Sequence, residues 1–416
     1  MDVNVRDFGA VGDGVTDDTG PFRDALQSLT DTGGNCIVPP GTYLIATGGV
    51  TEPQRAAVSS NIHLLGEGRD VSTLKVAGSP TFHLLQCYGN DWSVEKLGFD
   101  MGDFTPAGFA AMGCKGTRWL IKDCAVIRSG RWGIIAFGGT DWIIEGTLIQ
   151  RTVPGAQPPV GAILVTAEAG VWSRNGTLRN NVCQGGGITF TGDDGMIAGN
   201  RISRSGYGSG IFVQGAASTH APTIFGNVCY DGLSGYDDSQ GGRWWPVNGF
   251  EIWAPDALIF NNIAHSNDGG GIAVGGPNSI LAGNMSFDNG RARSGYAGLA
   301  ARISADAGAA SGSIFIGNTS RDTRYPNTNA TQSYGYLEQT GGLTRIFHVG
   351  NDYSNNKIAP ALYHSTRGQQ NVTMFDAQRL GLTARLVSDM KERLFALADD
   401  SRLSWRIRDI VRLLGG

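Results

Sequence analysis

The chain has 416 residues, 41% of them hydrophobic, enough for two ordinary domains or one long repetitive one. Its 63 glycines are about double the usual share, and they stand singly beside Asn, Asp and Ser among Ile, Val and Phe, a pattern of tight turns between strands and not of a disordered linker. A formal charge of −4 argues against nucleic acid as the main partner, because phosphate binding needs a basic surface, and no apolar run is long enough to span a bilayer.

The start, Met1-Asp2-Val3-Asn4-Val5-Arg6, lacks a basic stretch followed by an apolar one. The expectation is a protein of the cytoplasm or of a phage particle, or a secreted one whose signal has been removed. An amphipathic helix is predicted over Pro21 to Leu29, with Asp17, Asp18 or Thr19 as its N-cap. Gly33-Gly-Asn-Cys-Ile-Val-Pro-Pro-Gly-Thr-Tyr43 then turns into a first strand. Residues 1–45 thus read as a cap and opening strand, the helix covering one open end of a solenoid.

Residues 46–370 carry an internal repeat. Met196-Ile-Ala-Gly-Asn200, Thr223-Ile-Phe-Gly-Asn227, Leu258-Ile-Phe-Asn-Asn262, Ile280-Leu-Ala-Gly-Asn284, Ser313-Ile-Phe-Ile-Gly-Asn318 and Phe347-His-Val-Gly-Asn351 are short strands ending in asparagine. A second strand opening on glycine usually follows, as in Gly210-Ile-Phe-Val-Gln214, Gly249-Phe-Glu-Ile-Trp253, Gly271-Ile-Ala-Val-Gly275 and Gly298-Leu-Ala-Ala-Arg302. The asparagines recur every 20 to 35 residues or so, one solenoid coil plus a variable loop. Such a coil cannot bury its own apolar face and has to stack on its neighbours. Asparagine suits the bend through its tolerance of left-handed backbone and an amide that can bond to the adjacent coil. The predicted fold is all-β, a single-stranded right-handed parallel β-helix with an N-terminal capping helix and a C-terminal helical tail.

Six cysteines form no C-x-x-C pair and no metal-ligand spacing. Cys183 and Cys229 follow ladder asparagines by two residues, where later coils have Ala264, Ser286 and Ser320, so an inward stack of small residues with free thiols is expected. Residues 371–416 form a C-terminal extension. Leu386, Met390, Leu394 and Leu397, then Leu403, Ile407, Ile410, Val411 and Leu414, mark two amphipathic helices within 383–414. They read as a dock or cap on the solenoid, or as a partner contact through Arg402, Arg406, Arg408 and Arg412 beside Trp405.

The run Val5 to Thr19, the helix after it, and Ile37-Val-Pro-Pro-Gly-Thr-Tyr-Leu-Ile45 resemble the opening segment of the pectate lyase superfamily. That group includes family 28-related proteins, alginate C5-epimerase modules and phage tailspikes. With the repeats, the resemblance covers about residues 3–370. It implies a polysaccharide ligand and a homotrimer. Phe260-Asn-Asn-Ile-Ala-His-Ser-Asn-Asp-Gly-Gly-Gly-Ile272 is similar to the alginate epimerase coil, although the Asp-Pro-His-Glu signature of those epimerases is absent.

Alternation along the glycine-led strands points Phe137, Val165, Thr191, Gln214, Trp253, Gly275 and Arg302 outward in one row, with Thr189, Phe212, Glu251, Ala273 and Ala300 in the next. Glu251, Trp253 and Gln214 look like a sugar-binding floor, the indole for the apolar face of a pyranose and the carboxylate for hydroxyls or protons. The alternative is an ordinary solvated sheet face. The long excursion from Tyr230 to Asn248 adds Tyr236, Asp237 and Asp238 as acid or base candidates, Arg243 for a substrate carboxylate, and Trp244 and Trp245 for stacking. His265 and Asp268 lie just before the next glycine-led strand, and His265 is a candidate proton shuttle near Glu251 and Tyr236. Asp193 and Asp194 lie in Gly192-Asp-Asp-Gly195, similar to the Gly-Asp-Asp of family 28 hydrolases except that here it follows a groove strand; a turn or calcium role is the alternative.

The leading expectation is an enzyme on a uronate-containing polysaccharide, a lyase by β-elimination or a C5-epimerase. In it Arg243 holds the carboxylate, Tyr236 or His265 moves protons, and Glu251, Asp237 or Asp238 contacts a cation or hydroxyls. Alternatives are a glycoside hydrolase with paired carboxylates drawn from Asp193, Asp194, Asp237, Asp238 and Glu251, or a non-catalytic tailspike-like or exopolysaccharide-assembly protein. Calcium is a candidate cofactor, although no defined calcium loop is present.

Overall fold

The computed structural model describes residues 1–45, 60–78, 83–102, 110–151 and 161–362, apart from short stretches at 131, 169, 207, 216–218, 234, 238–242, 246, 293–294, 305–307, 339–342 and 344–345. Three long sheets run side by side along the molecule. One coil shows the plan. Leu258–Phe260 lies in sheet I, Ile263–His265 in sheet II and Ile272–Val274 in sheet III, and Ile280–Ala282 returns to sheet I one rung further on. Every pairing between coils within these sheets is parallel, as a β-helix requires. Antiparallel ladders among the described residues are confined to two excursions, Gly235–Asp237 with Arg243–Trp245 and Ile303–Ser304 with Gly308–Ala309.

The short strands are held by what they bury. In sheet III, Ile188, Ile211, Phe250, Ile272, Leu299 and Tyr336 stack in register and are buried. Each inward Ile or Leu contributes about 1.5–3 kcal/mol, while a three-residue strand alone would gain too little to order itself. In sheet II the inward column runs Cys183, Ile202, Cys229, Ala264, Ser286, Ser320, so the expected stack of small residues forms with Ile202 inserted between the two cysteines. All six cysteines are free and buried. Burial pushes the Cys36, Cys124 and Cys183 thiols up to about 12, which keeps them unreactive near neutral pH.

The bend between sheets I and II is an asparagine ladder. Asn181, Asn200, Asn227, Asn262, Asn284 and Asn318 each donate a side-chain N–H to the amide oxygen of the next, ending on Asn351, at 2.9–3.1 Å. The left-handed backbone expected at these asparagines belongs instead to the preceding residue: Gly199, Gly226, Asn261, Gly283 and Gly317 have φ of 52–63°. Glycine therefore makes most of these turns, and the asparagine bonds across them.

The N-terminal helix forms over Thr19–Ser28 and buries Phe22, Ala25 and Leu26, the Phe22 ring meeting Tyr43 edge-on at 5.2 Å. Asp18 holds the N-cap position but makes no cap bond; its carboxylate accepts the N–H groups of Val11 and Gly12 at 2.7 and 3.1 Å. Asp2–Asn4 already pairs with Gly34–Val38 in sheet I, and Asp13–Asp17 with Gly41–Ile45 in sheet II, so the sheets begin ahead of residue 46. The C-terminal helices expected over 383–414, with Trp405 and its arginines, lie outside the described residues.

Candidate functional site

The outer face of sheet III carries most of the candidates. Register places Thr189, Phe212, Glu251, Ala273, Ala300 and Leu337 in one outward column. Gln214 and Trp253 leave the same strands two positions on, one rung apart. The predicted row needs one correction. Val165 pairs with Ala136 and is buried, and Thr166 pairs with Phe137 and takes the outward place, because the strand carries an extra residue between Gly161 and Ile163. A one-residue bulge reverses every later side chain of a strand.

Glu251 is bound on both oxygens. Ser209 Oγ donates to Oε2 at 2.9 Å, and Asn248 Nδ2 and Arg302 Nη1 donate to Oε1 at 2.7 and 3.4 Å. Asn248 is fully buried and its amide oxygen accepts the Gly270 N–H at 2.6 Å, so it is fixed at both ends. Glu251 is thus an acceptor that anchors Arg302 across two rungs. Trp253 lies flat over the neighbouring strand: a Cβ at Gly275 would stand 1.7 Å from its Cε3 and 1.9 Å from its Cζ3. The glycine lets the indole lie down and present its other face outward.

Beside this platform the sheet sinks into a cleft of about 360 Å³, within the range of small-molecule sites. The small outward residues Ala273 and Ala300 recess its floor, and Tyr296, Arg302, Leu337 and Glu338 line it. Glu338 is 2% exposed, and Arg302 keeps a quarter of its side chain open.

The Tyr230–Asn248 excursion is a hairpin in which Tyr236 faces Trp244 and Asp237 faces Arg243 along the backbone ladder; Trp245 pairs with Gly235. Its stems are tied down where Gly232 N–H meets Asn267 Oδ1 at 3.0 Å and Val247 O accepts Gly269 N–H at 3.0 Å, next to Asn248. Asp238 lies outside the described residues.

Other candidates sit elsewhere. His265 belongs to sheet II, not to the groove sheet, where its ring stacks between Tyr230 at 5.2 Å and Phe287 at 4.9 Å. Burial lowers its pKa, and the ring packs between two aromatic neighbours on a different sheet from Glu251. Asp268 pairs with Arg291, which also reaches Asp231. Asp193 accepts the backbone N–H of His220 at 3.0 Å and faces its Nδ1 at 3.1 Å, and Asp194 occupies a left-handed turn position at φ 50°. Asp194 thus stands in a turn. Among the described residues no three His, Cys, Asp or Glu side chains come together to hold a metal.

Sequence reasoning missed Ser209, Asn248 and the meaning of Gly275. The gap that Gly275 leaves in the outward row, one coil after a tryptophan, was the available signal for the last. A second amide ladder, Asn267 to Asn289 to Gln332 to Asn356 at the corner between sheets II and III, also escaped it.

Residues 2–101 match a family profile described as rhamnogalacturonase A/epimerase, pectate lyase-like. The chain is 32% identical over 109 residues to mannuronan C5-epimerase AlgE1 of Azotobacter vinelandii, covering 26% of this chain and 8% of that protein. It is 34% identical over 77 residues to alginate lyase 7 of the same organism, covering 18% and 9%. It thus spans less than a tenth of either relative's length. The A-module of mannuronan C-5 epimerase AlgE4, also of Azotobacter vinelandii, superposes with a TM-score of 0.68 at 17% identity over 90% of this chain and 99% of the module.

Proposed function

Taking the chain as a pectate lyase-like parallel β-helix protein, we propose that it modifies an acidic, uronate-containing polysaccharide by removing the proton at C5, as a lyase or as a C5-epimerase. The observation that carries this reading is the Glu251–Arg302 pair, whose arginine lines a sugar-sized cleft on the same sheet face that carries the Trp253 indole over Gly275. An indole face takes the apolar side of a pyranose. A guanidinium held by Glu251 takes the uronate carboxylate and stabilises the enolate charge that develops on it when the C5 proton leaves. Similarity to an epimerase over 109 residues and to a lyase over 77 supports the substrate class. Lyase and epimerase chemistry share proton abstraction and part at the second step: a lyase expels the C4 oxygen, and an epimerase returns a proton from the other face.

The experiment is incubation with polymannuronate, polygalacturonate and a neutral glucan in deuterated water. Deuterium at C5 of a uronate polymer, or ultraviolet absorbance from a C4–C5-unsaturated uronate whose C5 carries no hydrogen, supports the reading. Ultraviolet absorbance from an unsaturated uronate then identifies a lyase, and inverted C5 centres without it an epimerase. New reducing ends with neither C5 exchange nor ultraviolet absorbance would make the protein a hydrolase, and binding without any of these a glycan-binding module.

A further inference from the structure

Sheet I changes character along the molecule. Its inward column runs Ile197, Ile224, Ile259, Leu281, Phe315, all fully buried, so the residues on either side of each point outward. In earlier coils the outward places hold Lys122, Glu145 and Arg179, an ion-pair ladder whose two cations keep more than two-fifths of their side chains exposed. In later coils they hold Phe225, Leu258, Phe260, Ile280, Ala282 and Ile314, which are only 2% to 8% exposed. Leu258–Phe260 and Ile280–Ala282 are therefore buried on both faces. That is the pattern of a sheet with a further layer laid over it, because an open face leaves its outward side chains partly wet. Among the described residues these strands touch chiefly the strands on either side of them, and the α-helix Thr19–Ser28 packs against Val5–Phe8 at the other end of the solenoid.

We infer that this face is the docking site of the chain's own C-terminal extension, with the stripe Leu386, Met390, Leu394 and Leu397 laid along it. Chain path, length and chemistry each select that occupant. The last described strand, Ala359–Leu362, is the final strand of sheet III. In the coils before it the chain passes from sheet III to sheet I, as from Ile272–Val274 to Ile280–Ala282 and from Ala297–Ala301 to Ile314–Ile316. Residue 363 thus sets out towards sheet I, and residues 363–385 give ample chain to return along it. The apolar stretch covers the four strands from Thr223–Phe225 to Ile314–Ile316, a span of about 14 Å at the usual strand spacing. Leu386 to Leu397 rises about 16 Å in a helix, which matches it. The stripe is uncharged, as is the face, while Lys391 and Glu392 turn the other way on a helix. Sheet I is not the groove sheet, so the docked extension leaves the cleft beside Arg302 open.

The test uses the full chain with the photoreactive p-benzoylphenylalanine in place of Phe260, which on irradiation bonds to whatever covers the ring. Peptide mass spectrometry should find the bond within residues 383–397, in a product of single-chain mass. A bond in a product of two-chain mass would make the face an interface between copies, and a bond elsewhere, or none, would leave the extension undocked; each overturns the inference. Trypsin supplies a second measure that does not depend on the label. Cleavage after Lys391 should be at least about tenfold faster in Leu394→Asp than in the wild type, since one docked leucine changes the open population by that factor or more. Phe260→Ser, on the other side of the contact, should speed it as well. Cleavage after Arg179 in the solenoid should stay unchanged in both variants, which separates undocking from unfolding. Cleavage after Lys391 at the same rate in the wild type and in both variants also overturns the inference.

Discussion

Gly275→Ala isolates the Trp253 platform from everything else in the groove. The backbone of Gly275 lies outside the left-handed region, so alanine is conformationally allowed there. Its methyl would stand 1.7 Å from Trp253 Cε3, 1.9 Å from Cζ3 and 3.0 Å from Cδ2, whereas carbon atoms rest about 3.5–4.0 Å apart. The indole must lift by about 2 Å and can no longer lie flat. A sugar face covering about 60 Å² of indole is worth about 1.5 kcal/mol at 25 cal/mol per Å², so affinity for a polyuronate should fall roughly tenfold. Isothermal titration with size-defined oligouronates reads this directly, and a thermal melt should move little because the ring sits on the outer face. Trp253→Ala should cost about the same, and the double variant no more than Trp253→Ala alone, since both act through one ring. Undiminished affinity in Gly275→Ala, or a further loss on adding it to Trp253→Ala, would refute the platform.

Arg302→Met should weaken binding of acidic oligosaccharides by about tenfold or more while leaving neutral ones unchanged, and binding by the wild type should weaken as salt is added; titrations across ionic strength check both. Asn262→Ala removes the acceptor for the Asn227 backbone N–H, bonded at 3.0 Å, and the donor to Ile224 O at 2.8 Å inside the buried ladder. One or two orphaned groups should cost about 2–4 kcal/mol in urea unfolding, and a loss below about 0.5 kcal/mol would mean that the ladder is dispensable. His348 is buried against Phe315, Tyr336 and Tyr353, and burial pushes its pKa down to about 4. Between pH 6.5 and 4 the unfolded chain takes up a proton there that the native state refuses, so stability should fall by up to about 3 kcal/mol as pH drops through that window, with no further loss from this group below it. His348→Phe should flatten that part of the stability–pH curve.

The repeating asparagines, the glycine-led strands and the small-residue column could be read from the sequence because each coil solves the same packing problem with the same residue types. Periodicity survives variation in loop length, so fold and register were legible around Ile211, Phe250 and Ile272. Glu251, Trp253, Gln214 and Arg302 were legible for the same reason, since alternation by two fixes which side of a strand a residue faces. Legibility ended where an extra residue enters, as at Gly161–Ile163, where Val165 and Thr166 exchange faces.

Sequence alone therefore determined the stacking, because in-register burial of Ile, Val and Leu depends only on local pattern. Only the tertiary structure decided which groups meet around it. His265 adjoins the groove strand in the chain but turns onto sheet II, where ring stacking claims it. Ser209, Asn248 and Arg302 come from three different coils to surround one carboxylate. Contacts between coils depend on loop lengths and on the rise from rung to rung, and no single stretch of chain encodes them.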